Sequence, residues 1–273
     1  MKPLNQRQRT VRLLAGGTVL LLAVALLGVL LGPRAMETDF SRTNLPPGLP
    51  FLFGTDWMGR DMLARTLAGL SLSIRLGALT ACVSALLALV LGTAAALSRP
   101  ADALLSWCVD LVLGIPHILL VILISLAFGR GFLGVVAGVS LSHWPSLARV
   151  VRGEVLQLRQ APYLRAAEKL GVSRPALIRR HLIPHLLPQF LTGLVLQFPH
   201  AILHESSVTF LSFGLSSEQP AIGVILSESM RYLTTGRWWL ALFPGLALVG
   251  VVLLFAALGE QVRRLLDPST LHQ

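Results

Sequence analysis

Charged residues are scarce in this chain of 273 residues, at 13% of its positions, whereas hydrophobic residues make up 54%. Soluble domains carry about 25% charged residues, so this scarcity excludes a compact water-soluble enzyme. The abundance of aliphatic side chains excludes an intrinsically disordered chain as well. Because the apolar residues fall in long blocks, the composition indicates an integral membrane protein.

Cysteine and lysine are also rare, since only Cys82, Cys108, Lys2 and Lys169 occur. Two cysteines at unrelated spacing form neither a disulfide framework nor a cysteine metal site. Neither lysine follows the glycine spacing of a phosphate-binding loop, so the chain cannot hydrolyse ATP through such a loop. G-x-S-x-G and H-E-x-x-H motifs are absent too. The sequence therefore predicts a protein that is not an enzyme.

Negative charge is in short supply, because 13 acidic residues oppose 23 lysines and arginines and leave a net charge of +10. A basic chain can bind nucleic acid, but that requires a basic face with stacking or groove-reading elements. Here the cations lie at the ends of the apolar blocks, which is typical of residues that set membrane topology and contact lipid or protein partners. We predict membrane lipid, and no nucleic acid, as a partner.

Six apolar blocks approach the roughly 20 residues that a helix needs to cross a bilayer. The first resembles a signal peptide in polarity, but it exceeds the roughly 7–15 apolar residues of such a segment and no A-x-A-like cleavage site follows. We interpret it as a retained anchor. The fourth is the shortest and contains Ser140, Ser142, His143 and Pro145. The chain is predicted to be an all-α membrane protein with about six transmembrane helices: Leu13–Leu31, Ile74–Leu97, Trp107–Phe128, Phe132–Leu147, Leu186–Leu211 and Trp239–Leu258.

The distribution of cations predicts the orientation of these helices. Both termini, the turn around Arg99 and the loop Arg149–His185 lie in the cytoplasm under the positive-inside rule. The loop Pro33–Arg65, on the opposite side, balances four arginines against four acidic residues. The cytoplasmic loop instead contains eight basic and two acidic residues: Arg149, Arg152, Arg159, Arg165, Lys169, Arg174, Arg179, Arg180, Glu154 and Glu168.

This basic loop is predicted to contain two short helices, which together we call the elbow. Pro162 suits a first helical turn and Gly171 a left-handed cap that ends a helix. The second helix is capped by Ser173, has Pro175 in its first turn and ends at the Ile183–Pro184 break.

Small side chains at Ala166 and Ala167 allow another surface to approach the first elbow helix closely. This shape is typical of a docking element at the cytoplasmic surface. The alternative is an amphipathic interfacial helix that anionic lipid holds through its arginines. The residues alone leave both interpretations open.

A second motif precedes the second apolar block, and we call it the GTD–GRD segment: Gly54, Thr55, Asp56, Gly59, Arg60 and Asp61. Its two carboxylates, with an arginine between them, can cross-link a loop through charge-assisted hydrogen bonds, and its glycines permit tight turns. The carboxylates could instead act as general acid and base, but no histidine or other nucleophile lies nearby in the sequence. We interpret the segment as a structural brace at the outer face.

Three ionisable residues of the fifth apolar block, His200, His204 and Glu205, are candidates for lining a translocation pathway, because such residues at membrane depth mark functional sites. The two histidines share one helical face, and a histidine pair with a nearby carboxylate can hold a divalent metal. Glu205, however, lies about 100° round the helix from His204. Metal binding is therefore left unknown.

The first elbow helix resembles the EAA motif of ABC importer permeases over Arg165–Gly171, with Pro184 thirteen positions after the glycine. The GTD–GRD segment is similar to the motif of one branch, the peptide/opine/nickel importers, and more specifically to its C-type permease. Asp110 with Pro116 is also similar to that branch, as is Glu205–Leu211.

The resemblance implies a type I ABC importer permease fold and a multi-pass subunit of a bacterial or archaeal cytoplasmic (inner) membrane. It implies a second homologous permease and two cytoplasmic ATPase subunits as partners, and an extracytoplasmic solute-binding protein that delivers the substrate. ATP and Mg would be used by the ATPases, so this chain needs no cofactor of its own. The helix Pro162–Leu170 would be the coupling helix. The residues implied in ATPase coupling are Arg165, Ala166, Ala167, Glu168, Gly171 and Pro184.

Two residues depart from the family pattern. Arg165 stands where the family has glutamate, so either the partner ATPase supplies an acid or Glu168 serves instead. His181 stands where isoleucine is expected. The stretch Leu141–Trp144 and the weakened EAA pattern are more similar to nickel permeases than to oligopeptide ones. The resemblance thus leaves the cargo open among peptides, opines and nickel or a metal chelate.

The predicted organisation has an N-terminal segment with the first transmembrane helix (1–50), a permease core (51–268) with the coupling loop (149–185), and a short tail (269–273). A competing hypothesis is a self-contained secondary transporter or channel. That class shows internal repeats and several ionisable residues within its spans, and no internal duplication is visible in this sequence. A membrane scaffold without a transport role is a third hypothesis.

Overall fold

The computed structural model describes residues 6–266. The predicted tail at 269–273, the last two residues of the predicted core and the first five residues of the N-terminal segment lie outside the described residues. Within 6–266 the regular structure is helical apart from one isolated antiparallel bridge between Thr55 and Asp61, which confirms the all-α prediction. The helices are α1 (Gln6–Leu30), α2 (Gly32–Met36), α3 (Met62–Leu97), α4 (Arg99–Gly114), α5 (His117–Ala127), α6 (Gly131–Arg159), α7 (Pro162–Lys169), α8 (Arg174–Leu177), α9 (Ile183–Phe210), α10 (Ile222–Leu233) and α11 (Trp239–Leu266), with a 3-10 turn at Phe40–Arg42 and a π-helix at Ile178–Leu182.

Four of the described helices are long and apolar enough to cross a membrane, namely α1, α3, α9 and α11. The bent pair of α4 and α5 is a fifth crossing if the two helices are one span. Four or five of the six predicted spans thus meet the requirement of length and composition. The helix α6 has 29 residues but is more polar, because it contains the serines and the histidine noted in the fourth block and arginines near its end.

The third predicted span is bent rather than straight. The axes of α4 and α5 differ by 103° at a break formed by Ile115 and Pro116. Proline has no N–H to donate, and its ring disfavours the α conformation of the residue before it. Ile115 is accordingly extended, with φ −97° and ψ 137°. The bend sets His117 at the first position of α5.

The helix α3 forms the centre of the bundle and packs against α1, α6 and α9. Most of the side chains it buries are alanine, glycine, serine or threonine, which let helices approach closely in a membrane. A Cβ atom on Gly92 would lie 2.6 Å from the carbonyl oxygen of Ala148 in α6. Large apolar side chains such as Leu86 and Val90 are more than half exposed, as expected of a surface that faces lipid.

The elbow begins as predicted, because α7 ends at Lys169 and Gly171 has the left-handed φ of 81° that closes a helix. The predicted break at Ile183–Pro184 is wrong. The chain continues from α8 through the π-helix into α9, and the N–H of Ile183 bonds to the carbonyl of Ile178, five residues back. Since Pro184 has no N–H to donate, the wider turn before it keeps the helix continuous.

Candidate functional site

The carboxylate of Asp56 is the centre of the GTD–GRD segment. Its Oδ1 accepts hydrogen bonds from the backbone N–H groups of Met58 (2.8 Å) and Arg60 (2.9 Å). Its Oδ2 accepts from Nε of Arg60 (2.7 Å) and from Nη1 of Arg65 (2.6 Å). Asp56, Arg60 and Arg65 are all at least 95% buried, so this is a desolvated ion cluster rather than a surface ion pair.

Glu228 of α10 joins the same cluster from a distant part of the chain. Its Oε2 accepts from Nη2 of Arg65 (3.0 Å) and from Nη2 of Arg60 (3.4 Å). Two carboxylates therefore neutralise two buried guanidinium groups and connect the segment to α3 and α10. Sequence reasoning missed Arg65 and Glu228, because α10 was not predicted and nothing local links positions 163 residues apart.

Thr55 and Asp61 connect the two ends of the GTD–GRD segment to neighbouring parts of the chain. The hydroxyl of Thr55 accepts from the N–H of Leu45 (2.8 Å) and donates to the carbonyl of Arg42 (2.5 Å). The carboxylate of Asp61 caps α3 at the N–H of Leu63 (2.9 Å) and pairs with Arg34 (2.7 Å). The carboxylates of Asp56 and Asp61 are thus both bound to arginines and to backbone N–H groups. These contacts suit a structural role, whereas a general acid or base needs a carboxylate that is free to exchange a proton with a substrate.

Gly59→Ala is expected to destabilise the subunit. Gly59 has φ 74°, where an L-residue is strained, and an added Cβ would lie 1.8 Å from the carbonyl oxygen of Asp39. The left-handed conformation alone costs about 1–2 kcal/mol, and the backbone must move as well. We expect a lower melting temperature of the purified subunit in detergent. Gly48→Ala is the matched control, because the nearest atom to its Cβ is 3.9 Å away. Equal melting temperatures for the two variants would contradict the close approach.

The two alanines of α7 have different surroundings. Ala166 is exposed, whereas Ala167 is half-buried and packs on the hydrophobic cluster that contains Leu164, Leu177 and Leu182. Consecutive helical residues point about 100° apart, and Ala166 is the more accessible of the two alanines. The role of both in docking stays a prediction.

The surface beside α7 is basic. A cavity of about 580 Å³ opens between the end of α6 and α7, and it is lined by Leu156, Arg159, Gln160, Arg165 and Lys169. Arg159 also donates from Nη1 to the carbonyl of Ala96 (2.6 Å), which fixes the end of α6 against α3. Three cations line one cavity, so the departure from the family pattern at Arg165 belongs to a larger basic surface. Gly171 and Pro184 are exposed near this end of the bundle.

The histidines are grouped differently from the prediction. His204 of α9 packs against His117 of α5 (ring centroids 4.2 Å apart) and His143 of α6 (5.0 Å), and His117 lies 4.5 Å from His143. All three side chains are half-buried. The predicted partner His200 is exposed one turn earlier on α9. We call His117, His143 and His204 the histidine triad.

Glu205 lies inside the subunit, with 1% of its surface exposed. Its carboxylate accepts hydrogen bonds from the hydroxyls of Ser73 (2.7 Å), Ser206 (3.2 Å) and Thr209 (3.2 Å). These contacts connect α9 to α3. A pathway role for Glu205 stays a prediction, and its hydrogen bonds give it a second role in holding the two helices together.

Comparisons with known proteins agree on one class of protein. Residues 84–272 match the family model described as "Binding-protein-dependent transport system inner membrane component". A protein of Brucella suis biovar 1 (strain 1330), provisionally named a peptide transport system permease protein, is 36% identical over 266 residues, which cover 96% of this chain and 88% of that protein. The dipeptide transport system permease protein of Bacillus subtilis (strain 168) is 29% identical over 251 residues, 91% of this chain and 78% of that protein.

A solved structure has the same fold. The match is to the crystal structure of an amino acid ABC transporter with histidines, with a TM-score of 0.57 and 17% identity over 74% of this chain and 94% of that chain. At this identity the likeness concerns the fold alone.

Proposed function

The chain belongs to the family of binding-protein-dependent transport system inner membrane components, the permeases of ABC importers, and from this premise we propose that it carries peptides as the C-type subunit of its importer. The names of the two relatives above, both given for peptide or dipeptide transport, favour peptides over opines and nickel. The similarity to the peptide permease of Brucella suis extends over nearly the whole chain, so it includes the segments that line any pathway.

The proposed assembly contains this subunit, a second homologous permease, two ATPase subunits and an extracytoplasmic solute-binding protein. This chain contributes neither the ATP site nor its Mg ion. Its contribution is a bundle with two stable arrangements, whose equilibrium is shifted by nucleotide binding in another subunit.

The observation that carries the proposal is the exposure of the face of α7 that contains Arg165 and Ala166. This segment is a short helix, ended by the left-handed Gly171, beside a cavity lined by three cations. A soluble partner can therefore reach it, and an acidic groove on an ATPase would complement Arg165. We propose that α7 is the coupling helix and that Ala166 is the point of closest approach to the ATPase.

The proposed orientation follows the positive-inside rule. It puts the elbow and both termini in the cytoplasm, and the GTD–GRD segment on the outer face. In this arrangement the ion cluster around Asp56 braces the side on which the binding protein docks, and it lies at the opposite end of α3 from the elbow.

The proposal is tested by uptake into proteoliposomes that contain the complete importer. We expect ATP-dependent accumulation of labelled dialanine or pentaalanine in the presence of the binding protein, and no accumulation when the ATPases carry an inactivating substitution. Peptide uptake that persists with inactive ATPases would instead favour a secondary transporter. ATP-dependent uptake of nickel without uptake of either peptide would overturn the choice of cargo.

A further inference from the structure

The histidine triad brings together three imidazole rings from three separate helices, with one potential ligand nitrogen from each ring within 4.8 Å of the others. We propose that His117, His143 and His204 form a binding site for a transition-metal ion of the zinc class, with one coordination position open to an exchangeable ligand. Imidazole nitrogen is a preferred ligand of Zn²⁺, Cu²⁺ and Ni²⁺. Neither the family membership nor the proposed peptide cargo requires such a site.

The hydrogen bonds of His143 leave one nitrogen available to a metal. Its Nδ1 lies 2.8 Å from the carbonyl oxygen of Val139. A carbonyl only accepts hydrogen bonds, so Nδ1 carries the proton and the lone pair is on Nε2. A backbone carbonyl that holds one ring nitrogen while the other binds metal is the usual outer-shell arrangement of metal-binding histidines.

His117 provides an independent indication of a missing ligand. Its Nδ1 is buried and has no hydrogen-bond partner within the part of the chain that the structure describes. A buried polar atom without a partner is costly, and a metal ion or a metal-bound water would satisfy it. The bend before α5 is what brings this residue to His204, 87 positions later in the chain.

The geometry fits a metal after a small adjustment of side chains. A Zn–N distance of about 2.0–2.1 Å corresponds to ligand nitrogens roughly 3.3 Å apart in a tetrahedral site. The present separations, up to 4.8 Å, can close by rotation of the half-buried rings. The three ligands come from α5, α6 and α9, so a bound ion would cross-link these helices.

The charge of the site indicates what the open position binds. Three neutral imidazole ligands do not neutralise the +2 charge of a divalent ion. The carboxylate of Glu205 does not neutralise it either, because it is hydrogen-bonded to Ser73, Ser206 and Thr209. The fourth ligand is therefore expected to be water, hydroxide or an anionic group such as a carboxylate. Zinc sites with three protein ligands and an exchangeable fourth are of this kind.

The site is tested by metal titration of the purified, complete importer. Co²⁺ is the spectroscopic probe, and Zn²⁺ displaces it for a count of ions per complex. We expect about one ion per copy of this chain, with visible absorption of tetrahedral Co²⁺. His143→Ala and His204→Ala should each weaken binding by more than about 100-fold, because loss of an outer-shell partner alone costs about 10–100-fold.

Two further variants separate metal binding from packing. His185→Ala, exposed near the start of the same helix, should bind metal like the wild type. His204→Phe keeps an aromatic ring in the cluster but removes a ligand, so it should assemble normally and lose the ion. The proposal is overturned if His143→Ala and His204→Ala bind metal as the wild type does, or if the assembled wild-type complex binds no ion. Because binding is read by absorption and not by uptake, this outcome is independent of whether the chain transports peptides.

Discussion

Asp56→Ala is expected to lower the free energy of unfolding of the subunit by about 3–5 kcal/mol, the usual cost of removing one partner from a buried ion pair. Asp56 is 2% exposed and its carboxylate neutralises two guanidinium groups that are themselves buried. After the substitution, the carboxylate of Glu228 would be the one remaining anion of the cluster to neutralise Arg60 and Arg65. The backbone N–H groups of Met58 and Arg60 would lose their acceptor as well.

The measurement is the melting temperature of the purified subunit in detergent, together with the yield of membrane-inserted protein. Asp56→Asn keeps an acceptor for the backbone N–H groups but removes the charge, so its melting temperature should fall between those of the wild type and Asp56→Ala. Asp39→Ala is the matched control in the same loop. Asp39 binds Ser41 and Arg42 at the surface, and the hydrogen bonds from Ser41 lower the pKa of its carboxyl, but solvent replaces these contacts. A melting temperature for Asp56→Ala equal to that of Asp39→Ala would refute the buried-cluster account.

The sequence predicted those structural features that depend on residues close to one another in the chain. The helix from Pro162 to Lys169 and the left-handed Gly171 follow from residue types that start and end helices. The bracing contacts of Asp56 with Arg60 are four residues apart and could be expected from their spacing. The spans α9 and α11 begin within three residues of their predicted starts, because apolar length is a strong signal.

Features that depend on distant parts of the chain could not be predicted from the sequence. Glu228 and Arg65 meet only because α10 packs beside the start of α3. From the sequence, only His200 and His204 could be placed on one helical face. The contacts of His117 and His143 with His204 depend on how α5, α6 and α9 pack, including the bend of 103° before α5. The continuous path through Pro184 was missed because a π-helical turn has no recognised sequence pattern in this region.

Ala166→Trp is expected to reduce ATP-dependent uptake by more than about 10-fold while the subunit still inserts and folds. The side chain at this position is exposed on α7, so a tryptophan can extend into solvent in the isolated subunit. On the proposed function, the added ring would separate α7 from the ATPase, and overpacking of a tight contact costs about 1–3 kcal/mol. A cost of about 1.4 kcal/mol is already tenfold in an equilibrium constant, so the coupled state would be lost.

The readouts are uptake and ATP hydrolysis by the reconstituted importer, with Ala103→Trp as the matched control. Ala103 is exposed on α4 beside the exposed Leu104 and Trp107, so a further aromatic ring there adds to an apolar surface. We expect normal uptake from this control, and from Ala166→Trp hydrolysis that no longer responds to the binding protein. Uptake by Ala166→Trp at the wild-type rate would refute the proposal that α7 is the coupling helix.

Ala167→Trp distinguishes docking from packing, because Ala167 contacts its own subunit whereas Ala166 faces solvent. Ala167 packs on the hydrophobic cluster of Leu164, Leu177 and Leu182, so tryptophan there must displace the elbow from its own subunit. We expect a lower melting temperature for Ala167→Trp and an unchanged one for Ala166→Trp, with uptake lost in both. If the elbow were only an interfacial helix held by lipid, an exposed tryptophan would favour the membrane interface, and Ala166→Trp would transport as well as the wild type. The pair of adjacent substitutions therefore separates a surface that a partner must reach from one that the subunit already covers.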